Sequence, residues 1–551
     1  MKFRNKLKAI LDHISDDQQS LQRKKGEEEP YFESYLLLSR KTDEFLCSNG
    51  AIVDEQYSSD DNTLRVEVRV GDYGFDGMGS ITTGVFPITD DYTATRNLLW
   101  SLTQPAYHHA QLNYLRKCRD AVDSEQPLRT RSFSSVNPVE FEDKMKKRND
   151  SLVDRWQKVL TEGSARFNEH PEILSGRLKF TLEEMMKVYV NTEGASIVQQ
   201  DVNYMLHMEA SARAPEDGEH LVVTRRYLSK NRLQFPRKKE LENVIDWMIL
   251  HLKELRSAPV QSAGQYPVMF DPDNTEVLFH EIVGHRLEGE RQERDWEGDT
   301  FEGSIGRKIA PDFVNLVDDP TRKLFRGVDG VERTMFGHYL YDDEGVPAKK
   351  VVLIKKGVLQ NYLLSRKPIV GYDVPPNGHG RCDGTEDPIA RMSNLMARSS
   401  RPLSQDKLEE LLIEQCLRQD KDYGIIFKGS SGGHTDTSDD NFRLFPQQVY
   451  RLWARDAVDP QTGKRFTKGE QQLVRGVEVA GTPLMILNNM LGMGKDYRIW
   501  PGHCGAESGW VKVCGAAPSS VFSKIEVIPN SADRLIDNPH PKPSTYLAKK
   551  R

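Results

Sequence analysis

Apolar and polar positions follow two periods along this chain, and the switches between them outline its elements. Leu64-Arg65-Val66-Glu67-Val68-Arg69-Val70 alternates apolar with charged residues, as a half-buried strand does. Tyr35-Leu36-Leu37-Leu38 is strand-like as well, so residues 31 to 79 read as extended. Thr93 to Ser124 reads as one long helix. Residues 177 to 233 return to extended patterns, among them Arg177-Leu178-Lys179-Phe180 and His220-Leu221-Val222-Val223. Arg237 to Arg256 carries Leu241, Val244, Ile245, Met248, Ile249, Leu252 and Leu255 at the intervals of a core-facing helix. Two stretches look solvated. The first thirty residues suggest a short amphipathic helix followed by the charged turn Lys24 to Pro30, and Pro138 to about Phe167 is highly charged at helical spacing.

The second half is richer in strands and turns. Tyr341 to Tyr362 reads as turn, strand, Lys-Gly turn, strand, which is a hairpin. Lys407 to Asp420 suggests a helix, followed by the strand Tyr423-Gly424-Ile425-Ile426-Phe427-Lys428. The glycine-rich Gly429 to His434 lacks the Lys-Ser/Thr ending of a phosphate cradle, and no helical pattern follows it. A loop permitting close backbone approach is expected there. The fold class expected is α+β, with an N-terminal mixed α/β region (1–240) bearing long charged helices. A larger C-terminal domain (241–551), mainly of antiparallel β-sheet, follows it.

Composition narrows the function classes. A chain of 551 residues predicts two to four domains, and 37% hydrophobic with 29% charged residues describes a soluble globular protein. A formal net charge of -6 gives no basic footprint for nucleic acid. No run approaches the roughly 18 apolar residues of a membrane helix. The start lacks the apolar stretch of a signal peptide, so the cytoplasm is expected. Six cysteines, at 47, 118, 382, 416, 504 and 514, form no Cys-x-x-Cys pair, which argues against a disulfide scaffold or a zinc ribbon. One of them could still serve as a metal ligand recruited from far away in sequence.

The candidate chemistry lies in Leu278-Phe279-His280-Glu281-Ile282-Val283-Gly284-His285-Arg286-Leu287-Glu288-Gly289. Two imidazoles with a carboxylate directly after the first are the parts needed to hold a divalent metal and to take a proton from water. In the familiar His-Glu-x-x-His helix the histidines sit four apart, about 40° around the axis. Here they are five apart, about 140° on an ideal helix, so a regular helix would not aim both at one ion. A wide turn of the π-bulge kind, or an early helix end, is required, and Gly284 is where either costs little sterically. The helix should begin near Asp271-Pro272-Asp273-Asn274, which offers capping side chains and a first-turn proline. Val277, Leu278, Ile282 and Val283 would bury one side. His108-His109 carries no comparable promise, because adjacent residues point in different directions and no third ligand lies near.

Several separated segments together resemble one family, the TldD/PmbA metallopeptidases, in their TldD-like catalytic branch. They are His280 to His285 with Leu287-Glu288-Gly289, Asp342 to Pro347 with its hairpin, and Arg391-Met392-Ser393-Asn394. The glycine-rich run to His434-Thr435-Asp436 and Cys504 to Gly509 ahead of Ser523 to Val527 complete the set, which covers nearly all of residues 265 to 530. The resemblance implies a metal site of His280, His285 and Cys504 holding one Zn2+ per chain, with Glu281 as catalytic base. It implies a zinc-dependent peptidase acting on small or unfolded peptides, bound as extended segments along strand edges. It also implies a dimer, either a homodimer or a heterodimer with a related subunit lacking the metal motif. The competing reading is a non-catalytic peptide-binding or assembly subunit. Sequence favours the peptidase because every proposed ligand and the base are present. His503 is a rival ligand by proximity, though on an extended segment it points away from Cys504; Glu288 and Glu290 are weaker rivals. Cys514 falls where the family pattern tends to have glycine and reads as a small buried residue. Arg391 and Asn394 could orient a peptide, support the site by hydrogen bonds, or form a structural turn. Trp296 to Val331, Trp453 to Gln471 and most of the N-terminal half look distinctive, which bears on substrate choice more than on chemistry.

Overall fold

Long amphipathic strands build the first half. Pro30–Ser48 and Ala51–Gly71 form a hairpin, turned by Asn49 and Gly50 at φ 52° and 83°. Paired positive φ values at Asn-Gly are the turn geometry whose twist suits an antiparallel hairpin. The computed structural model describes residues 4–16, 21–84, 90–123, 131–293, 301–436 and 441–530. The expected elements reaching Met1 to Phe3, Ser124 and Trp296 therefore extend outside the described residues.

Asp76–Thr83 extends this hairpin on one side, and Ile173–Asn191, Ala195–Arg213 and His220–Ser229 extend it on the other, all antiparallel. Tyr35 and Leu37 face a core shared with the helix Tyr92–Asp123, whereas Leu36 and Leu38 face Cys382 of the second half. Burial on both faces explains why this strand is continuously apolar rather than alternating. The helix lies so close that a side chain on Gly79 would come within 2.2 Å of the Ala106 carbonyl.

The charged stretch from Pro138 departs from the expected solvated helix. Val139–Glu142 is a strand parallel to Ala195–Arg213, and the helix that follows is confined to Ser151–Ala165. That helix buries Val153, Trp156 and Leu160 beside Phe45, Phe180 and Phe235. Three apolar residues at helical spacing outweigh the charges around them. The helix Lys238–Ser257 packs its Leu241, Ile245, Met248 and Leu252 into the same core, so packing groups it with the chain before residue 240 rather than after it.

The second half forms two larger sheets. One has six strands, ending in Gly509–Ala517 and then Arg498–Ala506 as the outermost. In the other, Tyr423–Asp436 pairs with both Gly264–Phe270 and Asn441–Trp453, so five strands close into a ring. The architecture is thus α+β, with antiparallel pairing dominant in the C-terminal part. The largest apolar cluster of the second half draws on both sheets and encloses Val277, Leu278, Phe279, Ile282, Val283 and Leu287. Gly429–His434, expected as a loop, lies within the strand Tyr423–Asp436, whose pairing slips between Ser430 and Gly433. Close backbone approach occurs all the same, because Gly433 packs against Glu281. No described helix is long and apolar enough to cross a membrane.

Candidate metal centre

The helix Pro272–Phe279 starts where its capping signals lie: Asp271 accepts a hydrogen bond from the Asn274 amide at 3.0 Å and Pro272 occupies the first turn. It then widens. Residues His280–Gly284 form a π-turn, closed by the His285 amide donating to the His280 carbonyl, and a short 3-10 turn follows over His285–Leu287. The extra residue rotates His285 back toward His280, the correction that five-residue spacing demands. Their rings stand 5.0 Å apart, nearly perpendicular.

Gly284 contributes differently from expectation. Its backbone is right-handed helical, φ −55° and ψ −56°, so glycine's conformational range goes unused. What matters is space, because a Cβ here would fall 1.9 Å from Met392 Sδ.

Cys504 reaches the histidines from the outermost strand Arg498–Ala506. Its Sγ stands 3.2 Å from His280 Nε2 and 3.2 Å from His285 Nε2. The three donor atoms all lie within 4.8 Å of one another, and the three residues are buried. A tetrahedral zinc with ordinary bond lengths would set each N···S separation near roughly 3.5 Å. The cluster thus fits such an ion after an opening of a few tenths of an ångström. His503 is on the opposite face of this strand, its ring edge-on to Phe336 at 5.4 Å.

The surroundings favour the thiolate form of Cys504. Burial alone would raise the Cys504 thiol, yet His285, His280 and Arg391 keep it well below the ordinary thiol range. Burial would lower both imidazoles, but Cys504 above all raises His280 to about 9 and His285 to about 10. Glu288, grouped with the rival ligands in sequence, instead accepts a hydrogen bond from His285 Nδ1 at 3.2 Å. That bond points the Nε2 lone pair at the cluster. Burial would raise the Glu288 carboxyl, but His285 and Arg291 hold it at about 2. Glu290 is engaged elsewhere, accepting from the Ser365 hydroxyl and the Ala390 amide.

Glu281 is buried beside the cluster, and burial raises its affinity for a proton despite the opposing pull of His280 and His285. A Cβ on Gly433 would lie 2.7 Å from Glu281 Cγ, so this glycine admits the carboxylate. Of the residues left open in sequence, Arg391 donates to the Cys504 carbonyl and Sγ. Asn394 donates to the Asp319 and Arg322 carbonyls, tying a turn away from the cluster. Cys514 is buried and its thiol is pushed up to about 12, first by burial.

These groups open onto a cavity of about 1290 Å³. The C-terminal domain supplies His280, Glu281, His285, His434 and Cys504; the N-terminal sheet supplies Thr42, Lys179, Thr181, Met205 and His207. No local signal could have found that second wall, because it depends on the N-terminal sheet packing over a site built from segments far away in sequence.

The chain is similar to known metallopeptidases. The family model for the PmbA/TldA metallopeptidase C-terminal domain matches residues 263–529. A metalloprotease of Methanothermobacter thermautotrophicus is 28% identical over 348 residues, covering 63% of this chain and 68% of the relative. A zinc metalloprotease TldD homolog of Saccharolobus solfataricus is 24% identical over 367 residues, covering 65% and 72%. Among solved structures, TldE of Thermococcus kodakarensis superposes with a TM-score of 0.59 at 15% identity, covering 94% of this chain and 99% of its own. A Thermotoga maritima protein described as a candidate modulator of a DNA gyrase gives 0.64 at 15% identity, covering 94% and 100%. At these identities the two structures speak for the fold alone.

Proposed function

Because the chain belongs to the TldD/PmbA family, we propose that it is a zinc-dependent peptidase hydrolysing peptide bonds in small or unfolded peptides. In this reading His280, His285 and Cys504 hold one zinc per chain and Glu281 is the general base. The observation that carries it is the meeting of two imidazoles and a cysteine sulfur from segments 219 residues apart, beside a buried carboxylate that opens onto a large cavity. Two nitrogens and a sulfur leave a fourth tetrahedral position, as hydrolytic zinc sites do. The ion would supply Lewis acidity and lower the pKa of water to about 7.

The protein groups do the rest. Glu281 takes a proton from the attacking water and passes it to the leaving amine, a shuttle suited to a carboxylate made more basic by burial. Glu288 keeps His285 in the tautomer that presents Nε2. The strand Arg498–Ala506 is outermost in its sheet and lines the cavity through Trp500 and Gly502 to Ala506. An extended peptide would add to that edge through main-chain hydrogen bonds, which tolerate varied side chains. The active assembly is a dimer, of two such chains or of one with a related subunit lacking the metal motif.

Metal content per chain, measured by elemental analysis after zinc supply, tests the site. Near one zinc is expected in the wild type and in Glu281→Gln, and none in Cys504→Ala or His285→Ala. Peptide hydrolysis should be present in the wild type and lost in Glu281→Gln. A wild type without zinc, or Cys504→Ala binding it fully, overturns the site; zinc without hydrolysis favours the peptide-binding subunit.

A further inference from the structure

Arg391 is fully buried, and its guanidinium reaches both sides of the cluster. Nη2 donates to the Cys504 carbonyl at 2.8 Å and to Cys504 Sγ at 3.2 Å. Nη1 donates to Ser508 Oγ at 2.9 Å and to the Gly509 carbonyl at 3.1 Å, bracing the turn beyond Cys504. Nε stands 3.4 Å from Glu288 Oε1, and Glu288 is the group that orients His285. One rigid cation thus touches one proposed ligand directly and another through its carboxylate partner.

An arginine that served the Ser508 turn alone would need only Nη1. Burying a guanidinium is costly unless it is paired, and here Nη2 donates to the sulfur and to the ligand's own carbonyl, while Nε makes an ion-pair contact, without a hydrogen bond, with the carboxylate behind His285. A planar fork with fixed donor angles suits that task better than a lysine.

We propose that Arg391 is the positioning residue of the metal centre: it fixes the Cys504 sulfur and restrains the charge that sulfur donates to the ion, while anchoring Glu288 behind His285. The inference rests on the zinc-site reading above. An N–H donor on a thiolate stabilises the sulfur lone pairs, so the sulfur gives less electron density to the metal. Removing the donor leaves a stronger but less well placed ligand.

Cobalt(II) reports this directly, because the sulfur-to-cobalt charge-transfer band in the near ultraviolet registers the energy of the sulfur lone pairs. Full-length wild type, Arg391→Lys, Arg391→Gln and Ser508→Ala would be freed of metal, titrated with cobalt(II), and assayed for zinc affinity against a chromophoric chelator. Arg391→Gln is expected to move the band to longer wavelength and to weaken zinc binding roughly 10- to 100-fold, the usual effect of removing a group behind a ligand. Arg391→Lys should recover part of both. Ser508→Ala, which removes one brace of the turn and leaves the sulfur contact, should leave the band in place. With zinc saturating, kcat should fall in Arg391→Gln with little change in KM.

A wild-type band that stays put in both Arg391 variants overturns the proposal while leaving the metal site intact. An equal shift in Ser508→Ala also overturns it, since the arginine would then act through the turn alone. A wild type with no charge-transfer band refutes the metal site itself and this inference with it. If Arg391→Gln does not fold, the comparison of Arg391→Lys with Ser508→Ala decides in the same way.

Discussion

Replacing Gly284 with alanine distinguishes two reasons for a glycine inside the π-turn. If glycine is there for backbone freedom, alanine should cost stability whatever surrounds it. The observed φ −55° and ψ −56° are ordinary for alanine, which on propensity alone favours the helical state by about 1 kcal/mol. The opposing contribution is steric: the new Cβ would sit 1.9 Å from Met392 Sδ and 3.0 Å from Met392 Cε. Met392 is fully buried, so relief requires turning its side chain into occupied core or displacing the turn. Overpacking of this kind costs about 1–3 kcal/mol, and so deep an overlap belongs in the upper part of that range. Gly284→Ala should therefore destabilise by about 1–2 kcal/mol net. In a Met392→Ala background the clash disappears, and the same substitution should stabilise by about 1 kcal/mol. The two residues thus couple by about 2–3 kcal/mol, as contacting side chains can. The assay is the thermal midpoint of the four proteins in the double-mutant cycle, with roughly 2–4 °C expected per kcal/mol for a domain of this size. Because the turn carries His285, Gly284→Ala should also bind zinc more weakly. An effect of the same sign and size in both backgrounds would refute the packing explanation.

Two further predictions concern charge. Glu281→Gln keeps the shape of the buried side chain but cannot take a proton, so kcat should fall by roughly 10²–10⁴-fold with zinc content unchanged; hydrolysis at the wild-type rate would remove Glu281 from the chemistry. Glu67 lies far from the cluster, buried against Arg69 Nε at 2.6 Å and Arg65 Nη2 at 2.9 Å. Burial would raise its carboxyl, but these two cations hold it at about 2, below its ordinary 4.5. A depressed acid stabilises the fold in full above its unfolded pKa and loses that contribution as pH falls through its folded pKa. About 3 kcal/mol should therefore drain away between pH 5 and pH 2. Glu67→Gln should be less stable at pH 7, because Arg65 and Arg69 lose the carboxylate they share and keep only Asp387 and Asp76, and should show a shallower acid limb in the same window. Identical acid limbs would contradict the assignment.

The sequence made some elements plain and left others obscure for physical reasons. Alternation at Leu64 to Val70 and the apolar stripe from Leu241 to Leu255 are local signals, and both elements stand where the patterns put them. The five-residue histidine spacing forced a local distortion, and the π-turn at His280–Gly284 supplies it. Charge density misled the reading from Pro138 onward, because a helix in a shared core needs just one apolar face. Cys504 carries no local mark of the role proposed for it; the family resemblance singled it out, and the folded chain brings its sulfur to both imidazoles. Glu288 was within reach of sequence reasoning, since a residue three after His285 on a helical turn shares its face.

The far wall of the cavity follows from strand register alone. Lys179 lies opposite His207, and Thr181 lies opposite both Met205 and Glu44, so these side chains stand as cross-strand neighbours on one face. The residues that alternate with them, Leu178, Phe180 and Leu182, point to the other face and fill the core with Trp156 and Phe235. Period-two alternation therefore separates a replaceable polar face from an irreplaceable apolar one on the same strand. The proposed ligands and base all come from the other domain, so selectivity and chemistry occupy different parts of the chain. Thr181→Val and Lys179→Met should then alter KM and the ranking of peptides while leaving zinc content and folding unchanged. Comparing a panel of peptides of differing charge on these variants and the wild type measures this. A uniform loss of kcat for every peptide, with no change in ranking, would mean that the wall supports the site rather than selecting what enters it.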